Sequence, residues 1–226
     1  MKYCIVNGDD FGASKGINLG ILEAHRNGVL TSTSLIVNMP CSEQAASLSR
    51  ECPNLSVGLH VNFRTEEGKN ALELNDTDSA RTELNRQFER FRSLLDCLPT
   101  HIDSHHNIHR DPRLKPLFYE LAAHYQLPLR ENSPVRYFSK FYGQWDGETH
   151  FEQISVAHLI KMLGQEIHDG ITELSCHPGY PDPYFQSAYS VEREAELRTL
   201  CDPRVRSSLA VLQIRLVNYR MLAEFL

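Results

Sequence analysis

The chain has 226 residues, 41% of them apolar, and a formal net charge of −6. That is enough apolar material for a sizeable core and argues against global disorder. No stretch is basic enough to suggest a nucleic-acid partner, and no apolar run approaches the length of a membrane span.

The first residues, Met-Lys-Tyr-Cys-Ile-Val, enter a strand pattern directly, with no signal-peptide core behind them. Further β-like runs follow, so that strands are predicted at 2–7, 33–38, 56–62, 100–104, 128–131, 171–176 and 214–218. Helical stretches lie between them. The clearest is 79–97, where Leu84, Phe88, Phe91 and Leu95 recur at spacings of four, three and four. Two more helices are predicted to start at Asp111-Pro112 and Asp202-Pro203, with Asp as cap and Pro at the first helical position. About seven β/α units predict one α/β domain over 1–226 with a parallel sheet. A closed or nearly closed barrel is preferred to an open doubly wound sheet. Segments 63–78, 131–150 and 177–189 are helix-free and long, hence candidate functional loops. Cys4, Cys41, Cys52, Cys97, Cys176 and Cys201 include no CxxC pair and read as reduced, mostly buried thiols, which points to the cytoplasm.

Polar residues gather at the C-terminal ends of the predicted strands: Asp9 and Asp10, Asn38, His60 and Asn62, Asp103 and His105, Arg130, and His177. In β/α folds that rim assembles the active site. Adjacent carboxylates at Asp9-Asp10 repel unless a cation or proton separates them, although an Asx turn and helix cap would also use them. His60 within an apolar strand needs partners for its ring, supplied by a core hydrogen bond or by a metal. The run His101-Ile102-Asp103-Ser104-His105-His106-Asn107-Ile108-His109 holds four histidines and a carboxylate in nine residues. Alternation puts His101, Asp103 and His105 on one strand face, a pattern that suits a metal or acid–base role. His106 and His109 are candidates for orienting groups or substrate contacts. His177, followed by Pro178 and Gly179, is placed as a proton donor.

Taken together, VNGDDFG, GVLTSTSLIVN, VGLHVNF, THIDSHHNIH and ELSCHPGY resemble the YdjC/ChbG family of carbohydrate deacetylases, distant relatives of the NodB-type polysaccharide deacetylases. The closing stretch REAELRTLCDPRVRSSL is similar as well. The resemblance implies a distorted TIM-like barrel lacking one unit, one divalent cation (Mg²⁺ or Zn²⁺), and hydrolysis of an N-acetyl group on an amino sugar. It implies Asp10, His60 and His105 as metal ligands, Asp9 as general base and His177 as acid, and it suggests a homodimer. Family members usually carry more than the 40 residues found here between the GLH and HIDSHH motifs.

In that chemistry three protein ligands leave the cation open positions for water and the carbonyl oxygen. Asp103 can orient a ligating ring. Arg130 is a candidate for binding a substrate hydroxyl or acid, or for pairing with Glu131. Tyr137, Phe138, Phe141, Tyr142 and Trp145 either stack on a sugar or anchor their own loop. The competing readings are another metal-dependent barrel hydrolase such as a phosphoesterase, which needs more ligands and more cations than Arg130 and Lys15 supply, and a non-catalytic sugar-binding protein.

Overall fold

The computed structural model describes residues 1–63, 76–185 and 187–225. The elements run β1 (Lys2–Phe11), α1 (Lys15–Arg26), β2 (Ser32–Leu35), α2 (Ser42–Arg50), β3 (Ser56–Val61), α3 (Thr77–Leu95) and β4 (Ile102–Ser104). Then come α4 (Lys115–Tyr125), β5 (Arg136–Phe138), β6 (Gln144–Trp145), β7 (Glu148–Thr149), α5 (Val156–Glu166), β8 (Gly170–Cys176), α6 (Ser190–Leu200), α7 (Pro203–Val211) and β9 (Ile214–Leu216). Seven strands form one parallel sheet in the order β4-β3-β2-β1-β8-β5. β9 pairs with the first residues of β1, and β2 with its last. The sheet curls into a half-barrel, a distorted relative of the TIM barrel, with helices outside.

Strand alternation sorts the residues into two cores. Cys4 and Val6 of β1, Val57, Leu59 and Val61 of β3, and Leu174 and Cys176 of β8 join the large core beneath the helices. On the α3 side that core receives Leu84, Phe88 and Phe91, while Leu95 is half-buried. Each such ring or branched chain contributes about 1.5–3 kcal/mol by leaving water. The opposite parity faces the concave interior. Tyr3, Ile5 and Ile171 pack there with Val217, Tyr219 and Leu222, an apolar plug at the bottom of the half-barrel. Above it the same parity turns polar: Asn7, Asp9, Ser34, His60, Asp103 and Glu173 are all buried.

Three expectations are corrected. Residues 128–131 contribute only a single bridge, Leu129 to Ile102, because Glu131 turns the chain away at φ +63°. The strand in that part of the sheet is β5, inside the segment expected to be a loop, and the β6–β7 hairpin follows it. The helix expected from Asp111-Pro112 starts at Lys115 instead. Asp111 forms a preceding turn, accepting backbone hydrogen bonds from Leu114 and Lys115, and Pro116 occupies the first helical turn. At Asp202-Pro203 the expected cap is present, with the Asp202 side chain accepting from Arg204 N. Most of segment 63–78 lies outside the described residues, apart from the start of α3.

Candidate active site

Consecutive strand residues normally face opposite sides, yet Asp9 and Asp10 both reach one cleft. The pairing of β1 with β2 shifts register between Gly8 and Phe11, and Asp10 takes φ +69°, a left-handed conformation unfavourable for a non-glycine residue. This bulge swings the second carboxylate inward. His60 on β3 stands directly across from Asp103 on β4. His105 lies beyond the end of β4, on the tight turn His105–Arg110. It therefore reaches the cleft through that turn rather than through strand alternation with Asp103.

Asp10 Oδ1 lies 2.9 Å from His105 Nδ1 and 3.4 Å from His60 Nε2. It is buried and makes no hydrogen bond. An orphaned carboxylate oxygen facing two imidazole nitrogens, all within 4.8 Å of one another, is a donor set that can hold a metal ion. Bonds of about 2.0–2.1 Å around a tetrahedral ion put donors about 3.3 Å apart, close to these spacings. The other oxygen, Asp10 Oδ2, accepts from Arg193 at 2.5 Å. His60 Nδ1 is fixed by Asp103 Oδ1 at 2.7 Å, which aims Nε2 at Asp10. Asp103 thus orients His60, not its strand-mate His105. Burial alone would depress the His60 imidazole, but Asp103, Asp10 and Asp9 override it and raise its pKa to about 10.

A second grouping, Asp9, His60 and Asp103, also lies within 4.8 Å. Here a cation is already supplied. Arg130 Nη1 and Nη2 grip Asp9 at 2.9 and 2.8 Å, and Nη2 also lies 2.7 Å from Asp103 and 2.6 Å from Glu173. Arg130 is 2% exposed and sits beneath Asp9, so it contacts neither solvent nor Glu131, which pairs with Arg110. Burial pushes the Asp9 carboxyl up, but Arg130 outweighs it, with Asp103 opposing, and holds Asp9 ionised below the usual range. Glu173 is oriented in turn by the Tyr219 hydroxyl.

His177 faces Asp9 across the cleft, Nε2 to Oδ2 at 3.9 Å. Burial lowers its pKa to about 4 against the pull of Asp9 and Asp10, so the ring is neutral at rest. Its backbone N–H donates to Glu196, which also accepts from Tyr189 at 2.5 Å. Burial raises the Glu196 carboxyl to about 8. The Tyr142 and Tyr189 rings stack at 4.4 Å and both meet His177 edge-on.

Asp9, Asp10, His60, His105, His106 and His177 all line one cleft of about 740 Å³. His109 does not. It is buried between Ser104 and Glu131, where it pins the turn that carries His105. His101 is also withdrawn, stacked on Tyr219 at 3.8 Å. Among the loop aromatics, Tyr137 and Tyr142 line the cleft, Phe138 and Phe141 are core, and Trp145 stacks on His150 at 3.6 Å. Sequence reasoning missed Glu173, Arg193 and Glu196. Glu173 shares the parity of Ser175 and His177, which alternation could have shown. Arg193 and Glu196 lie on the buried face of α6 with Leu197 and Leu200.

The model of the YdjC-like protein family matches residues 3–211. The chain is 40% identical to a carbohydrate deacetylase of Geobacillus stearothermophilus, with 97% of each chain covered. It is 36% identical to a chitooligosaccharide deacetylase of Serratia marcescens, over 92% of this chain and 94% of that one. A crystal structure of an Enterococcus faecalis V583 protein assigned to cellobiose-phosphate cleavage superposes with a TM-score of 0.86 at 27% identity, covering 98% of both. The fold is also that of a family 4 carbohydrate esterase from Streptomyces lividans, with a TM-score of 0.58 at 15% identity over 95% of this chain and 91% of that one. With its family model matched over most of its length and its curated relatives covered nearly end to end, the chain belongs to the YdjC-like family.

Proposed function

We propose that this chain is a metal-dependent N-deacetylase that hydrolyses the acetamide of an amino sugar, a chito-oligosaccharide or related N-acetylglucosamine glycoside, and releases acetate. The observation that carries this reading is the pairing of an ionised Asp9, gripped by Arg130, with a neutral His177 3.9 Å away, directly beside the Asp10–His60–His105 donor set. Relatives named as carbohydrate and chitooligosaccharide deacetylases support it.

Asp10, His60 and His105 would hold the cation. When bound, a divalent cation polarises the amide carbonyl and lowers the pKa of water. By softness, two imidazoles and one carboxylate suit Zn²⁺ better than Mg²⁺. Asp9 Oδ2, the oxygen turned toward His177, accepts the proton of the attacking water. Arg130 keeps that carboxylate ionised and stationary. His177 Nε2 donates a proton to the leaving amine nitrogen. Because the ring is neutral at rest, that proton arrives during the reaction, and Asp9 lies within reach to supply it. A low resting pKa makes the transient imidazolium a strong acid, as a poor leaving group requires.

A phosphoesterase with two ions would need bridging carboxylates. The carboxylates available for a second ion, Asp9 and Asp103, are already neutralised by Arg130, which favours a single ion. The large core takes in residues from Cys4 to Ile214, and we treat the chain as one catalytic domain. No helix among the described residues is long and apolar enough to cross a membrane. Its six cysteines are free, which fits the reducing cytoplasm.

The test is acetate release from diacetylchitobiose by metal-stripped protein with Zn²⁺, Mg²⁺, Mn²⁺ or Co²⁺ restored singly. Metal-dependent release that Asp9→Asn lowers by about 10²–10⁴-fold, with ion binding retained, supports the assignment. Binding of no ion, or full activity in Asp9→Asn, refutes it.

A further inference from the structure

Glu196 is a buried carboxyl that the chemistry above leaves unused. It is 0% exposed, on the face of α6 that also buries Leu197 and Leu200. A carboxyl in such a place stays neutral unless a cation pairs with it. Among the described residues no lysine or arginine does. Arg193, one turn earlier on the same helix, reaches Asp10 Oδ2 and the His177 carbonyl instead. Glu196 accepts from the His177 backbone N–H and from the Tyr189 hydroxyl. Thus α6 holds both main-chain polar groups of His177, while Tyr189, stacked on Tyr142, packs edge-on to its ring.

The ring itself spans two carboxyls. Nε2 faces Asp9 Oδ2 at 3.9 Å, and Nδ1 faces Glu196 Oε1 at 3.9 Å. His177 Nδ1 is buried and has no hydrogen-bond partner. We propose that Glu196 is the positioning residue of the acid and holds, on the Nδ1 side of His177, the proton that the ring takes up as Nε2 gives its own to the leaving amine. The proposal rests on the deacetylase reading of the cleft and adds a second proton source, on the side of the ring away from Asp9.

Ionised Asp9 favours the tautomer with its hydrogen on Nε2, and a neutral Glu196 complements it by donating to Nδ1. Burial raises the Glu196 carboxyl to about 8 and lowers the His177 ring to about 4, so at neutral pH the proton rests on Glu196. Catalytic hydrogen bonds are often as long as this one before substrate binds, and tighten in the complex. As the C–N bond breaks, its electron pair goes to the departing nitrogen, which takes the Nε2 proton. The Glu196 O–H breaks as Nδ1–H forms. Asp9 by then holds the proton taken from water. Its transfer to Nε2, with return of the Nδ1 proton to Glu196, restores the starting state, and no outside proton is consumed.

The experiment compares the metal-loaded wild type with Glu196→Gln, whose amide still accepts from His177 N–H and donates to the Tyr189 oxygen but has no acidic proton. For acetate release from diacetylchitobiose, kcat should fall about 10²-fold, the lower end of what acid–base help contributes. On 4-nitrophenyl acetate, whose leaving group departs without a proton, the loss should shrink to within about threefold. A defect of folding or ion binding would lower both alike. Equal losses on the two substrates, or no loss on the sugar, overturn the proposal. A wild type that releases no acetate from the sugar overturns the deacetylase reading, and the relay with it. Infrared spectroscopy tests the resting state without turnover. At pH 7 the wild type should show a protonated carboxyl band that Glu196→Gln lacks and that fades as pH rises through about 8. Absence of that band overturns the proposal.

Discussion

Replacing Arg130 with Met should expose what this buried guanidinium does. The side chain is 1% exposed and lies within 3.0 Å of Asp9, Asp103 and Glu173. Methionine approximates its length but leaves three buried carboxylates without their shared counter-charge. Removing one partner of a buried ion pair costs about 3–5 kcal/mol. At about 2–4 °C per kcal/mol for a chain of this size, the melting temperature should fall by roughly 6–20 °C. The pH dependence carries the sign. In the wild type Arg130 holds Asp9 and Asp103 below their ordinary values, so their contribution is present above the unfolded carboxylate pKa and is lost as pH falls. In the variant the same carboxyls are raised, so its stability is retained at low pH and falls as pH climbs through the raised values. The gap between the two proteins should widen from pH 5 to pH 8. Urea unfolding across that range measures it, and adding Glu173→Gln to the variant should recover part of the loss. A variant within about 1 kcal/mol of the wild type at pH 7, with a gap that does not change with pH, would refute the reasoning.

Two further predictions concern the donor set and its packing. In metal-free protein His60 is raised to about 10 from an ordinary 6.5, so its stabilisation is complete below about 6.5 and is lost as pH rises through about 10. Loading Zn²⁺ at pH 8 must displace the Nε2 proton, and titration in buffers of different ionisation enthalpy should report about one proton released per ion; none released would contradict the assigned ligand. Gly58→Ala should destabilise by about 1–3 kcal/mol, because a Cβ there would lie 2.3 Å from the His101 ring. An unchanged melting temperature would mean that the ring moves freely, contrary to its stacking on Tyr219.

The resemblance carried by VNGDDFG, VGLHVNF and THIDSHHNIH agreed with the later family match, and strand alternation with capping placed most of the elements. Failures fell at the ends of elements. Strand 128–131 was lost to the left-handed turn at Glu131, and the Asp111 helix began a turn late. Periodicity does not register a sign change in φ.

Local chemistry written into the chain determined which residues are polar, where strands end, and therefore which side chains gather at one rim. Tertiary structure decided what each of them does there. Arg130 was a candidate for binding substrate or for pairing with Glu131, and only the curl of the sheet shows it enclosed by Asp9, Asp103 and Glu173. Asp103 was expected to orient a ligating ring, and the β3–β4 register decides that the ring is His60. Arg193 and Glu196 gave no signal of their own, because a charged residue on a helix reads as solvated until another element covers it. Sequence patterns record the period of a side chain's direction. The charge it meets is set by segments as much as 183 positions away, the separation of Asp10 and Arg193.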